Sequence, residues 1–184
     1  MVTVTLFCCA PGGSEIQTEC SEYVKRNGSL LPAQLYVSRP GRLPCKAVIH
    51  AVGPIWSSGH KNEKNLLYDT VFNVLEEAEH RGFTSVALPA ISTGLYRFPL
   101  QPATMIVMDA VKNFLKQAKK LCEVHIIDTS MDVISQFCKT AETAFRDVDN
   151  ATVVHFPHDG GARSKIVDKP SEGAAMSSKS CVNL

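Results

Sequence analysis

Ser92, Thr93, Gly94, Leu95 and Tyr96 are residue types that can hold an anion without a metal or a run of basic side chains. They follow the apolar run Ser85-Val86-Ala87-Leu88-Pro89 and lead through Arg97-Phe98-Pro99 into a helical pattern beyond Leu100. Gly94 lets the backbone approach a ligand and take a positive φ, Ser92 and Thr93 add hydroxyl donors, and Pro99 suits the first turn of a helix. Consecutive backbone N–H groups beside a helix N-terminus make a phosphate site that needs no net positive charge. Tyr96 and Phe98 offer rings for a ribose or a base. The alternative at this level is a tight strand-to-helix turn with both rings in the core.

Other chemistry-bearing residues are better explained by structure. Gly12-Gly13 precedes a helical pattern but lacks the G-x-G-x-x-G and G-x-x-x-x-G-K-[ST] spacings. His50 lies between Ile49 and Ala51 in a strand-like run, where an imidazole satisfied inside the fold is expected rather than a base. Asp128 and Asp132 flank the end of the last apolar strand; they suit a ligand-facing carboxylate pair, or, for Asp132, a helix cap or dipole partner. Glu76, Glu77 and Glu79 read as a solvated helix face. The seven cysteines contain no C-x-x-C pair and are scattered among apolar residues, so buried thiols are expected rather than a zinc site or disulfide framework. No catalytic or metal-ligating set emerges. The terminal Cys181-Val182-Asn183-Leu184 has the outline of a prenylation box, with Asn183 a poor fit where an aliphatic residue is preferred.

These residues must be positioned by a single core. The chain has 184 residues, 45% hydrophobic and 20% charged, with 19 Lys+Arg against 18 Asp+Glu. A net charge of +1 gives no global field for nucleic acid or membrane, so an anion must be bound locally. No apolar run approaches the ~18 residues that cross a bilayer, and no basic n-region precedes residues 1–10; a cytoplasmic or nuclear monomer is expected. Residues 2–9, 35–38, 46–52, 85–89 and 124–127 read as strands. Helices are expected over 15–26 with Ser14 as N-cap, from about 63 to 80, beyond Leu100, and over 132–145. In the 63–80 helix, Leu67, Val71, Val74, Leu75 and Ala78 form one stripe, and Glu63, Glu76, Glu77 and Glu79 fall elsewhere. Strands apolar throughout, alternating with amphipathic helices, predict an α/β fold with a mainly parallel sheet covered on both faces. After about Asp147 the composition turns small and polar, and 148–184 reads as a flexible tail.

Val48-Ile49-His50-Ala51-Val52-Gly53-Pro54-Ile55-Trp56, a long helix, and then Ala87-Leu88-Pro89-Ala90-Ile91-Ser92-Thr93-Gly94-Leu95-Tyr96-Arg97-Phe98-Pro99 resemble a macrodomain, the ADP-ribose-binding α/β/α module. Leu30-Leu31-Pro32 and Gly41-Arg42-Leu43-Pro44-Cys45-Lys46 are most similar to the macrodomains of macrodomain-bearing ADP-ribosyltransferases. The resemblance runs from about residue 12 to 144. It implies a three-layer α/β/α mixed sheet that recognises ADP-ribose, free or on ADP-ribosylated proteins, with ADP-ribose as ligand and no cofactor. It also implies that Ser92, Thr93, Gly94, Leu95 and Tyr96 wrap the diphosphate and distal ribose, with Tyr96 beside that ribose. Arg97 stands where many members have Gly. Family segments that supply an adenine-binding Asp, an Asn-rich ribose contact and a first glycine-rich phosphate loop have no counterpart here. The expected organisation is therefore an unmatched segment 1–11, an N-terminally truncated partial macrodomain over 12–147 and the tail 148–184. The reading favours a binding module over an enzyme, with an ADP-ribosyl hydrolase and a non-binding fragment acting through protein contacts as alternatives.

Overall fold

Alternation of apolar strands with amphipathic helices builds a mixed sheet in the computed structural model, which describes residues 2–4, 12–147, 151–156 and 163–168. In chain order the elements are β1 (Val2–Val4), α1 (Ser14–Asn27), β2 (Leu35–Ser38), β3 (Ala47–Ala51), α2 (Glu63–His80), β4 (Ser85–Pro89), α3 (Leu100–Leu115), β5 (Glu123–Ile127), α4 (Met131–Ala144), β6 (Ala151–Phe156) and β7 (Arg163–Asp168). The strands lie in the order β2-β3-β1-β4-β5-β7-β6. β3, β1, β4 and β5 run parallel, while β2 pairs antiparallel to β3, and β7 pairs antiparallel to both β5 and β6.

Successive side chains of a strand point to opposite faces, and β3 shows what this does. Ile49 joins the main core with Leu67, Val71 and Leu75 of α2 and Val107, Met108 and Val111 of α3. Val48 faces the other way and packs on Ile16 of α1. Helices α2, α3 and α4 pack in succession over one face and α1 covers the other, which gives the three layers expected from sequence. Each fully buried Leu, Val, Ile or Phe contributes roughly 1.5–3 kcal/mol, so the stripes on α2 and α3 dominate this core.

Two sequence expectations change, and the strand expected near the N-terminus acquires a place in the sheet. β1 lies in the interior: Val2, Thr3 and Val4 pair with Ala47, Val48 and Ile49 on one side, and Val2 and Thr3 with Val86 and Ala87 on the other. A strand there completes the ladders of two neighbours at once, whereas an edge position completes one. The sheet is also more mixed than expected, because β6 and β7 fall within the 148–184 stretch read from composition as a tail. The β-branched residues Thr152-Val153-Val154 and Ile166-Val167 favour extended backbone locally, a signal that the surrounding Gly, Ser and Asp residues obscured. Finally, α1 is capped by Gly13, with φ 88° and no side-chain hydrogen bond, rather than by Ser14. Cys181-Val182-Asn183-Leu184 and residues 5–11 lie outside the described residues. Among the described residues no helix is long and apolar enough to cross a membrane, and no group of three or more His, Cys, Asp or Glu could hold a metal ion.

Candidate functional site

Parallel β3 and β4 both end at the same edge of the sheet, and the loops that leave them meet there. The Trp56 N–H, beyond β3, donates to the Tyr96 carbonyl beyond β4 at 2.9 Å. Behind this bond the Trp56 and Phe98 rings pack with centroids 4.6 Å apart at 58°. Phe98 is 2% exposed and so belongs to the core, not to a ligand, while Tyr96 is half-buried.

The 92–96 loop closes on itself. Thr93 N–H and Thr93 Oγ1 both donate to the Ala90 carbonyl, at 3.3 and 2.8 Å. Arg97 N–H donates to the Gly94 carbonyl at 2.9 Å and Phe98 N–H to the Ser92 carbonyl at 2.9 Å. The N–H groups of Ser92, Gly94, Leu95 and Tyr96, by contrast, donate to no acceptor among the described residues. Ser92 and Tyr96 are half-buried, where N–H groups are almost always paired, while Gly94 and Leu95 are exposed to water; together they make a run of donors at a strand terminus open to an acceptor from outside.

The strain in the loop is not where the glycine suggests. Gly94 has no positive φ, and a Cβ there would meet nothing within 4 Å. The left-handed residues are Ser92, at φ 67°, and Arg97, at φ 55°, each costing of order 1 kcal/mol relative to glycine. The reversal at Ser92 turns its Oγ inward. That oxygen is buried without a hydrogen-bond partner and lies over Gly53, where a Cβ would come within 2.3 Å of it and 2.6 Å of Ile91 Cγ2. Gly53 is thus required by close approach rather than by its own backbone angles.

A second support comes from Glu63, which the sequence pattern placed off the apolar stripe of α2. It is 2% exposed. Its Oε1 accepts from the N–H groups of Ser57, Ser58 and Gly59 at 3.1, 3.2 and 3.1 Å, and its Oε2 from Lys61 at 2.6 Å. Burial raises the pKa of this carboxyl, but hydrogen bonds from the backbone of Glu63 itself, Ser58, Ser57 and Lys61 outweigh it and hold the value at about 2, down from 4.5. Because the unfolded carboxyl takes up a proton first, the stabilisation is fully present above about pH 4.5 and is lost as pH falls towards 2. Thermal melts should therefore show Glu63→Gln several degrees below the wild type at pH 7, with the gap narrowing between pH 4.5 and 2; a gap independent of pH would contradict this account.

The remaining sequence candidates have structural partners. His50 Nε2 lies 2.8 Å from Ser38 Oγ and 3.5 Å from Cys20 Sγ; burial pushes its pKa down, opposed by Glu19. Asp128 Oδ1 accepts from the Ser130 N–H at 2.8 Å, and Ser130 in turn caps α4 through Val133, which leaves Asp132 in the first helical turn as a dipole partner. The solvated-face reading of the glutamate run fails at Glu79. It accepts the N–H groups of Lys119, Lys120 and Leu121, and although burial raises its pKa those bonds leave it lowered. Neither Glu63 nor Glu79 was separable from solvent-facing acids by helical spacing, because both act on loops far from the helix stripe. The expectation of buried cysteines is not met among the described residues: Cys20, Cys45 and Cys138 are half-buried and Cys122 is exposed.

The family model of the Macro domain matches residues 9–107. Over 139 residues the chain is 37% identical to the human protein mono-ADP-ribosyltransferase PARP14, a match that covers 73% of this chain and 8% of that protein. It is 36% identical over 115 residues to the O-acetyl-ADP-ribose deacetylase of Citrobacter rodentium (strain ICC168), covering 62% of this chain and 65% of the enzyme. The chain thus spans less than two thirds of either relative. Among solved structures, the Oceanobacillus iheyensis macrodomain with ADP superposes with a TM-score of 0.75 at 23% identity, over 80% of this chain and 85% of that one.

Proposed function

The chain belongs to the macro domain family, and from that premise we propose that it recognises ADP-ribose, free or attached to protein, through Ser92, Thr93, Gly94, Leu95 and Tyr96. The observation that carries this reading is the set of unpaired N–H groups at Ser92, Gly94, Leu95 and Tyr96. A diphosphate supplies acceptors to such an array, and each hydrogen bond to a charged group contributes about 1.5–3 kcal/mol. The half-buried Tyr96 ring beside these donors suits the distal ribose. Support also comes from relatives: one similar protein is a mono-ADP-ribosyltransferase, and a macrodomain of the same fold has been solved with ADP.

A ligand that binds only the native state raises stability by RT ln(1 + [L]/Kd), about 2.7 kcal/mol at a hundredfold excess over Kd. For a domain of this size, ADP-ribose should therefore raise Tm by about 5–10 °C, with matching heat in isothermal titration. A cooperatively melting sample with neither shift nor heat would overturn the reading and leave action through protein contacts. Hydrolysis is the second reading, favoured by the similarity to bacterial O-acetyl-ADP-ribose deacetylases. Release of acetate from O-acetyl-ADP-ribose, followed by NMR, separates an enzyme from a binder.

A further inference from the structure

Arg97 is a non-glycine residue in left-handed backbone, at φ 55°, directly after the unpaired donors of the 92–96 loop. Its side chain is exposed and makes no hydrogen bond or ion pair among the described residues. Its backbone role, donation from N–H to the Gly94 carbonyl, would be fulfilled equally by glycine. The fold thus gains nothing visible from the guanidinium, and glycine would relieve the strain. A strained residue whose side chain contributes nothing to the fold points to a role in binding.

We infer that Arg97 is a specificity-determining residue of this loop, whose guanidinium contacts a phosphate group of the bound nucleotide and makes affinity rise with the ligand's negative charge. The inference rests on the ADP-ribose reading above. Backbone N–H groups carry only partial charges and select mainly by position, so an array of them discriminates weakly between ligands of different charge. A guanidinium adds a full, permanent charge with a planar fork that matches two phosphate oxygens. At an exposed position that attraction is screened by salt, which gives it a signature that a purely structural residue lacks.

The test is titration of the full chain with ADP-ribose and with ADP, the more highly charged ligand, at low and high salt, for the wild type, Arg97→Gly, Arg97→Gln and Arg97→Lys. Arg97→Gly and Arg97→Gln should bind ADP-ribose about 3–10-fold more weakly at low salt, lose more affinity for ADP than for ADP-ribose, and depend less on salt. Arg97→Lys should keep most of the affinity, and ligand-free Arg97→Gly should melt above the wild type because its backbone strain is gone. Equal affinities and equal salt dependence for wild type, Arg97→Gly and Arg97→Gln would overturn the inference while leaving ADP-ribose binding intact. A wild-type chain that binds neither nucleotide removes both.

Discussion

Alanine at position 53 should cost the protein its ligand loop: Gly53→Ala will bind ADP-ribose at least about tenfold more weakly than the wild type. The added Cβ would lie 2.3 Å from Ser92 Oγ and 2.6 Å from Ile91 Cγ2, inside any normal contact distance, so Ser92 must shift. Ser92 cannot shift alone, because its carbonyl accepts from Phe98 and its own left-handed conformation directs the next residues. The displaced donors then no longer converge. Overpacking of this kind also destabilises the native state by about 1–3 kcal/mol. Gly94→Ala is the comparison within the same loop: its Cβ would meet nothing, so its melting temperature should stay near that of the wild type. Calorimetric titration beside thermal melts reads both quantities. Wild-type affinity in Gly53→Ala would show that the Gly53–Ser92 contact does not hold the loop.

Truncation of Phe98 should have the largest effect on stability. Its ring is 2% exposed, lies in the main core and packs against Trp56, so Phe98→Ala leaves a cavity and removes the support behind the Trp56–Tyr96 bond. Losses for Phe to Ala in cores run to about 3–5 kcal/mol. Denaturant unfolding should show that loss, and binding by the fraction still folded should also weaken. Phe98→Leu, which retains most of the volume, should recover much of both. Loss of stability with unchanged affinity of the folded fraction would mean that the ring supports the core but not the loop.

Much of this arrangement was readable in the chain. The bounds of α2, β2 and β4 follow directly from period 3.6 or from short apolar runs between turn residues, and the 92–96 loop was visible because Ser, Thr and Gly cluster at a strand terminus. What could not be read was how separate loops support one another. Gly53 looks like an ordinary turn glycine until Ser92 is placed over it, and Glu63 looks like one more helix acid until four N–H groups from residues 57–61 converge on it. The position of β1 was equally out of reach, since pattern marks a strand but not its neighbours. Phe98 was ambiguous for a related reason: an aromatic residue in a loop suits a ligand or a core, and only its contact with Trp56 decides.

The interior placement of β1 bears on how the site holds together. β2 and β3 join the remainder of the sheet's ladder through β1, while α2 packs across the same junction against β2, β3 and β4. The core is continuous beneath it, since Ile49 of β3 lies in one buried cluster with Leu67 and Val71 of α2 and with Val86 and Leu88 of β4. Gly53 and Trp56 follow β3, and Ser92, Tyr96 and Phe98 follow β4, so both sides of the loop's support are anchored in that one cluster. The two sides therefore belong to a single cooperative unit, and a substitution that loosens the cluster under either strand loosens the contact between the loops as well.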